Sequence, residues 1–448
     1  MHPFPYFRIA FASVVLASLL STQALAQDEQ DKQAFYEKHR AYVGLYALDD
    51  GERLIVGMYP DEPLFYVSRM ATGDVRFLDP SAEHTFAYGP TRSVTTPVAG
   101  TLRFTLGEDA TVEGLHWSQG EDPPRRARRV PVEVEEVRFA NGEQAQLAGM
   151  LMTPPGPGPY PVAVLIPQAD RYDLWEAGMW LLAHGIGVLA YDQRNAAMGY
   201  SVGEAVTGYH HDQQPVYATD AVAAVHFIRS HPRVDAQRVG VVGWSSGGWM
   251  GALVAGDVPD LAFYVNIAGN ASPGIEQAQH RFVARLYREG FSDEAVAEAD
   301  RFLSFHHDVA RGKVAWEDYV PERERVAETP WFEFLNSRFS MYYSDLEDAT
   351  TWGSSVEAAP SALDYERVTA PTLGLFFEFD HSSPPSTPLI FHRALSHAGN
   401  GNFAIYVFPG VNHGAWEVES LRFNTREITR RAPEVFKTLV DWVVLMVN

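Results

Sequence analysis

The fold is decided by residues 238–250, which run RVGVVGWSSGGWM. Val239 to Val242 form the apolar run of a buried strand, and the glycine- and alanine-rich stretch after Gly247 is typical of a close-packed helix. Between them, Gly243 to Gly247 form a G-x-S-x-G pattern. A serine at a sharp strand-to-helix turn needs small residues two positions before and after it, and the turn exposes its hydroxyl above the sheet. The pattern therefore predicts Ser245 as a nucleophile at such a turn.

A serine hydroxyl needs a histidine base and an orienting carboxylate to become a good nucleophile. The apolar stretch Leu375–Phe379 ends in Asp380, and the stretch Tyr406–Phe408 leads into a loop that carries His413. Strand ends followed by loops are suitable positions for both groups, in the chain order Ser…Asp…His. The sequence predicts a triad of Ser245, Asp380 and His413.

Each member of the predicted triad has an alternative residue in the sequence. Ser246 is a weaker nucleophile candidate, because the residue two positions before it is Trp244 rather than a small residue. Glu378 is the alternative acid. His381 is the alternative base, although its position next to Asp380 is poor for a bridge to the serine.

From residue 132 onward, apolar runs alternate with helical stretches, which is typical of a mostly parallel sheet covered by helices on both faces. The eight expected strands are Val132–Phe139, Leu147–Met152, Val162–Ile166, Ile186–Tyr191, Val239–Gly243, Ala262–Ile267, Thr372–Phe377 and Phe403–Phe408. Asn141-Gly142 predicts an antiparallel hairpin between the first two. The roughly hundred residues after Ile267 have helical patterns, and we expect a helical cap at about 270–365.

These features together resemble the α/β-hydrolase superfamily. Val234–Gly240 and Tyr191–Arg194 are further similar to bacterial serine hydrolases related to the prolyl-oligopeptidase and dienelactone-hydrolase branches. The resemblance implies acyl-transfer hydrolysis, with Ser245 as nucleophile, His413 as base and Asp380 as orienting acid.

The resemblance also implies an oxyanion hole, with one donor at the Ser246 amide. Relatives usually have His-Gly or a glycine-rich stretch after the third strand, whereas this chain has Pro167-Gln168-Ala169. Because proline has no N–H, Pro167 cannot donate. We predict the Gln168 amide as the second donor, with Ala169 as the next choice.

The N-terminal part differs from the rest of the chain. Arg8, the apolar run Ile9–Leu20 and Ala24-Leu25-Ala26 are typical of a secretory signal peptide over residues 1–26, which predicts a periplasmic or secreted protein with no membrane span after cleavage. Residues 27–120 contain short strand patterns separated by turns and predict a small all-β barrel or sandwich. Two prolines and four arginines within 120–129 indicate a linker over 121–131, and 132–448 are expected to form the hydrolase domain.

Composition excludes several classes of function. The chain of 448 residues has 57 acidic and 35 basic side chains, for a net charge of −22, which argues against a nucleic-acid partner. Cysteine is absent, which excludes disulfides and thiol nucleophiles. The neighbours His210-His211-Asp212 and His306-His307-Asp308 lack a strong metal-ligand spacing, so we expect neither a metal nor a cofactor.

The sequence favours an exported serine hydrolase that cleaves small-molecule carboxylic esters through an acyl-enzyme on Ser245. One alternative is a serine peptidase, either a small exopeptidase or an aminoacyl-amide hydrolase. The other is a binding protein whose catalytic site has decayed, which the Pro167-Gln168 departure motivates. The oligomeric state is left open by the sequence.

Overall fold

The computed structural model describes residues 34–59, 64–196, 201–206, 210–339, 343–357, 362–425 and 427–448. The expected signal peptide at 1–26 lies outside these ranges. Within them, no helix has both the length and the hydrophobicity needed to cross a bilayer.

The N-terminal domain is one antiparallel sheet of nine strands in the order β4-β3-β2-β1-β9-β8-β7-β6-β5. The strands β1 to β9 are Gly44–Leu48, Arg53–Met58, Phe65–Arg69, Val75–Phe77, Asp79–Ala82, Thr85–Tyr88, Gly100–Leu106, Val112–Gln119 and Arg125–Arg129. The two edge strands, β4 and β5, are separated in the chain by Leu78 alone. The sheet therefore curls into a nearly closed barrel. Aromatic rings in tilted and edge-to-face contact fill it, with Phe86 4.9 Å from Phe65 and 5.7 Å from Phe104 between ring centroids.

The prediction of a linker over 121–131 is wrong, because Arg125–Arg129 form β9, the strand between β1 and β8. Only one face of a barrel strand is buried, and here Ala127 alone points into the core. Arg126 and Arg128 are exposed on the other face, whereas Arg125, near the start of the strand, is partly buried and forms ion pairs with Asp50 and Glu52. An arginine-rich run is thus compatible with a strand in the middle of a sheet.

The second domain contains a sheet with the order β10-β11-β13-β12-β15-β16-β17-β18. Its strands β10 to β18 are Glu133–Asn141, Ala145–Thr153, Tyr160–Ile166, Gly187–Tyr191, Val202–Gly203, Val234–Trp244, Tyr264–Ile267, Thr372–Phe379 and Phe403–Asn412. The short β14 pairs with β11 outside this order. The pairs from β13 to β18 are parallel, and β10 and β11 form the expected antiparallel hairpin at the edge. The predicted α/β-hydrolase fold, preceded by a small all-β domain, is confirmed.

The described helices α1 to α11 are Trp175–Leu182, His210–Arg229, Ser246–Asp257, Gly274–Arg288, Asp293–Ala310, Trp316–Val326, Pro330–Phe339, Leu346–Glu357, Ala362–Tyr365, Thr387–His397 and Pro433–Val447. Helices α2, α3 and α10 share one hydrophobic core on one face of the sheet. Helices α1 and α11 cover the other face, and their core continues into the interior of the β domain. The barrel is therefore packed against the α1 side of the hydrolase sheet.

Helices α4 to α9 form the insertion between β16 and β17. Its large side chains pack mainly against one another, with Phe302, Tyr319 and Trp331 buried in a separate core. His306 and His307 are also buried there. The aromatic residues of the insertion thus stabilise the insertion itself.

Candidate active site

Ser245 lies at the turn between β15 and α3 in a conformation that few non-glycine residues adopt. Its backbone angles are φ 54° and ψ −121°. The turn also brings Gly243 against Gly247, where a Cβ atom on Gly243 would lie only 2.0 Å from the Gly247 carbonyl oxygen. A Cβ on Gly247 would lie 2.7 Å from the carbonyl oxygen of Ile166, the last residue of β12. The two glycines of the pattern are therefore required by close backbone contacts, and a strained serine is held at the carboxyl edge of the sheet.

The structure brings Ser245, His413 and Asp380 into one hydrogen-bonded row. His413 Nε2 lies 2.9 Å from Ser245 Oγ, and His413 Nδ1 lies 2.8 Å and 2.9 Å from the two carboxylate oxygens of Asp380. Asp380 follows β17 and His413 follows β18, so parallel pairing places both at the same sheet edge as the serine. This geometry lets the imidazole take a proton from the hydroxyl while its other nitrogen donates to the carboxylate.

Asp380 is held as a carboxylate although its side chain is only 4% exposed. Burial raises the pKa of this carboxyl, but electrostatic attraction to the His413 ring, the hydrogen bond with it and the amides of Ser383 and Ser382 together lower the pKa by more. Those amides donate to Asp380 Oδ1 over 2.8 Å and 2.7 Å. The net pKa lies below the ordinary value, so the group is anionic at neutral pH.

The rival acid and base do not join this row. Glu378 is exposed, and its carboxylate accepts a hydrogen bond from the Gly410 amide at 2.8 Å. The His381 ring lies 5.4 Å from the His413 ring, and burial, with His413 close by, lowers the pKa of His381 to about 3. A histidine with that pKa is a weak proton acceptor, which makes His413 the better base.

A cavity of about 390 Å³ opens at Ser245 and His413. Tyr59 of the β domain lines it together with residues of the hydrolase domain. These include the apolar side chains of Leu174, Trp244 and Phe436 and the ion pair of Glu176 with Arg431. Glu176 bonds to Arg431 and also accepts from Ser68 Oγ of the β domain at 2.8 Å. Arg431 in turn donates to the Tyr59 hydroxyl at 3.1 Å. The β domain therefore forms part of the wall of the cavity, a contribution that no sequence motif indicates.

The expected oxyanion donors lie next to the serine, but one of them is occupied. Ser246 is the first residue of α3, where a backbone N–H has no acceptor within the helix. Its side-chain hydroxyl donates to Gln168 Oε1 at 3.0 Å, which places the predicted second donor beside the turn. The Gln168 and Ala169 amides, however, both donate to Asp173 Oδ2, at 2.7 Å and 2.6 Å. Sequence reasoning missed Asp173, whose only signal is an acidic residue five positions after Gln168.

The loop that carries these residues is anchored by a buried ion pair. Arg171 donates to both carboxylate oxygens of Asp192, with distances of 2.6–3.2 Å, and to Glu136 at 2.8 Å. Because Asp192 follows β13, this pair ties the loop after β12 to the neighbouring strand. Arg171 thus fixes the loop to the sheet, and Asp173 bonds to backbone amides within the same loop.

Nothing in the described part of the chain forms a metal centre, since no group of three or more His, Asp or Glu side chains is placed to hold an ion. His306 is used structurally, with Nδ1 2.7 Å from the Tyr319 hydroxyl. The side chains of His210, His211 and Asp212 lie outside the described ones.

Comparison with known proteins links this site to hydrolases. Residues 207–272, which include the nucleophile turn, match the model of the prolyl oligopeptidase family. Mouse acyl-coenzyme A thioesterase 1 and mitochondrial acyl-coenzyme A thioesterase 2 are each 29% identical over 150 residues, or 32% of this chain. The chain matches only 30% and 28% of the lengths of these two proteins.

The solved structures with a similar fold include the following two hydrolases. The 2,6-dihydroxy-pseudo-oxynicotine hydrolase is 17% identical with a TM-score of 0.40, over 71% of this chain and 68% of that one. Acetyl xylan esterase 1 from Thermoanaerobacterium sp. JW/SL YS485 is 16% identical with a TM-score of 0.41, over 71% of this chain and 88% of that one. The family match over the nucleophile turn, together with the fold, supports a serine hydrolase of the esterase or peptidase type.

Proposed function

We propose that this α/β-hydrolase is an exported enzyme that cleaves carboxylic esters of small molecules through an acyl-enzyme on Ser245. The observation that carries the proposal is the position of His413, with one ring nitrogen 2.9 Å from Ser245 Oγ and the other 2.8 Å from Asp380. A serine, an imidazole and a buried carboxylate in this order are what nucleophilic acyl transfer requires.

In the proposed reaction, Ser245 Oγ attacks the ester carbonyl carbon while His413 Nε2 takes the hydroxyl proton. The imidazolium that forms keeps its Nδ1–H bond to Asp380, which stabilises the new positive charge. The negative charge on the former carbonyl oxygen is stabilised by the Ser246 amide at the start of α3. When the tetrahedral intermediate collapses, the C–O bond to the alcohol breaks and His413 returns the proton to the leaving oxygen. A water molecule activated by His413 then cleaves the acyl-enzyme by the same steps.

The size and chemistry of the cavity favour small substrates. A volume of about 390 Å³ is near the lower end of the range for ligand sites, which runs from about 300 to 1,000 Å³. Trp244, Leu174 and Phe436 provide apolar contacts, whereas the Glu176–Arg431 pair and Tyr59 provide polar ones. We expect short acyl or alcohol groups to be accepted better than long chains.

The second candidate function is peptidase activity, which the match of residues 207–272 to the prolyl oligopeptidase family favours. A direct test compares p-nitrophenyl esters of increasing acyl length with aminoacyl p-nitroanilides. We expect a higher kcat/KM on the short esters. A higher kcat/KM on the anilides would reject the esterase proposal in favour of the peptidase.

Labelling by a fluorophosphonate separates both hydrolases from a decayed binding protein. We expect covalent labelling of the purified chain that is lost in Ser245→Ala and kept in Ser246→Ala. A chain that takes no label and cleaves no substrate of either panel would support the decayed site.

Export is tested independently of the chemistry. The proposal requires that the protein recovered outside the cytoplasm of a secreting bacterial host begins at Gln27, as N-terminal sequencing would report. Recovery of only the uncleaved chain from the cytoplasm would contradict export and leave the catalytic proposal untouched.

A further inference from the structure

The loop after β12 presents two backbone amides to a carboxylate inside the proposed active site. Asp173 Oδ2 accepts from the Gln168 amide at 2.7 Å and from the Ala169 amide at 2.6 Å. Asp173, Gln168 and Ala169 line the same cavity as Ser245 and His413. Two consecutive N–H groups converging on one anionic oxygen are the arrangement that an oxyanion hole offers its substrate.

These amides lie beside the nucleophile. The carbonyl oxygen of Ile166 lies so near Gly247 that a Cβ atom built on Gly247 would be only 2.7 Å from that oxygen. Gln168 is two residues after Ile166. Ser246 Oγ also bonds to the Gln168 side chain at 3.0 Å. The loop after β12 therefore packs directly on the turn that carries Ser245.

We propose that Asp173 is a gate on the oxyanion hole, holding the Gln168 and Ala169 amides at rest and releasing them when substrate reacts. A backbone N–H that points at the Asp173 oxygen cannot at the same time form a well-aligned hydrogen bond to the substrate oxygen. In addition, a carboxylate next to the developing oxyanion repels it. The Asp173 side chain is half-buried, so it is not fully enclosed by the loop.

This inference rests on the proposed function, because it concerns the oxyanion that forms when Ser245 attacks. Asp173 acts through the two amides and is a positioning residue, not a catalytic one. Opening of the gate then contributes to the barrier of every acylation. Removing the carboxylate should therefore raise kcat with little change in KM, since the amides bind the oxygen more strongly in the transition state than in the ester.

The experiment compares Asp173→Ala and Asp173→Asn with wild type on p-nitrophenyl acetate. Removing one oxyanion donor from a serine hydrolase lowers kcat by about 100- to 1,000-fold. Because Asp173→Ala frees such donors, we expect its kcat to be about tenfold or more above that of wild type. Asp173→Asn keeps an acceptor oxygen without the charge and should show a smaller rise. A trifluoromethyl ketone, which forms an anionic hemiketal on Ser245, should bind Asp173→Ala more tightly by a factor similar to the rise in kcat.

Asp170→Asn is the matched control. Asp170 is a buried carboxylate of the same loop whose Oδ1 accepts from the Tyr172 amide at 2.8 Å, and it is not among the residues lining the Ser245 cavity. Its kcat should be no higher than that of wild type. If Asp173→Ala fails to fold, Asp173→Asn alone decides between the two outcomes.

The gate is refuted if kcat and ketone affinity in the folded Asp173 variants are equal to or below those of wild type while fluorophosphonate still labels Ser245. That result would mean that the carboxylate only stabilises the loop. A wild-type chain that neither cleaves esters nor takes the label would instead reject the proposed function, so the two failures are distinguishable.

Discussion

Replacing Asp380 by asparagine tests the proposed triad most sharply, because the structure defines what the change does to His413. Asp380 Oδ1 accepts from the Ser382 and Ser383 amides, and an asparagine carbonyl oxygen in that position keeps both bonds. The asparagine NH₂ then takes the place of Oδ2, which lies 2.9 Å from His413 Nδ1. Two donors repel each other, and Oδ1, although 2.8 Å from Nδ1, already accepts both amides, so the change favours the tautomer in which Nδ1 has lost its proton and Nε2 carries it.

An imidazole protonated at Nε2 donates to Ser245 Oγ and cannot take its proton. Loss of the correct tautomer in a serine triad lowers kcat by about 10⁴-fold, which corresponds to about 5 kcal/mol of activation free energy. Because the two amide bonds survive, we expect the free energy of unfolding to change by less than about 2 kcal/mol. The pKa of Asp380 is lowered in the folded state, so its ionisation stabilises the fold above a pH of about 4, the ordinary value for aspartate, and this contribution is lost as the pH falls further. The asparagine variant should lack this part of the acid sensitivity.

The assay is the steady-state hydrolysis of p-nitrophenyl acetate, with thermal unfolding measured on the same samples. Glu378→Gln is the control, since Glu378 is exposed and bonds only to the Gly410 amide among the hydrogen bonds described for it. We expect its kcat to stay within about threefold of wild type, as for most surface changes. An Asp380→Asn variant with kcat within tenfold of wild type would refute the acid assignment, and Glu378 would then be the residue to test.

Three further changes probe the turn, the insertion and the contact between domains. Gly243→Ala places a Cβ 2.0 Å from the Gly247 carbonyl oxygen. We expect the free energy of unfolding to fall by about 3 kcal/mol and fluorophosphonate labelling to be lost. Burial lowers the pKa of His307 to about 4. His307 therefore binds a proton more tightly in the unfolded chain than in the folded one, so the free energy of unfolding falls as the pH drops from about 6.5 to about 4. His307→Phe should make the Tm less dependent on pH in this range. Glu176→Gln leaves Arg431, whose side chain is 16% exposed, without its anionic partner and should cost about 3 kcal/mol, the lower end of the range for a broken buried pair, measured as a lower Tm.

Each of these changes has a control in the chain. Gly401→Ala meets no atom within 4 Å and should be nearly neutral. His397→Gln removes a histidine whose side chain is 71% exposed and is the control for loss of a buried one in the same melts. Asp257→Asn breaks an exposed pair with Arg367 and should cost less than about 1 kcal/mol. A variant that behaves like its control would contradict the packing or burial argument behind it.

The strand arrangement of the second domain was predictable because its signals are local. Apolar runs such as Val162–Ile166 and Val239–Val242 mark buried parallel strands whatever surrounds them. The linker prediction failed for the opposite reason. A strand in a curved sheet needs only a few buried side chains on one face, and in β9 the arginines on both sides of Ala127 obscure this single buried residue.

The sequence by itself predicted which serine, acid and histidine the structure brings together. Ser245, Asp380 and His413 each follow a parallel strand, and parallel strands end at one common edge, so local spacing is enough to bring them together. Tertiary structure alone decided what surrounds them. Arg431 reaches the Tyr59 hydroxyl across 372 positions of the chain, and Asp173 turns back onto the amides of its own loop. Domain packing and loop conformation depend on many weak contacts summed over the whole fold, and no short pattern of residues records them.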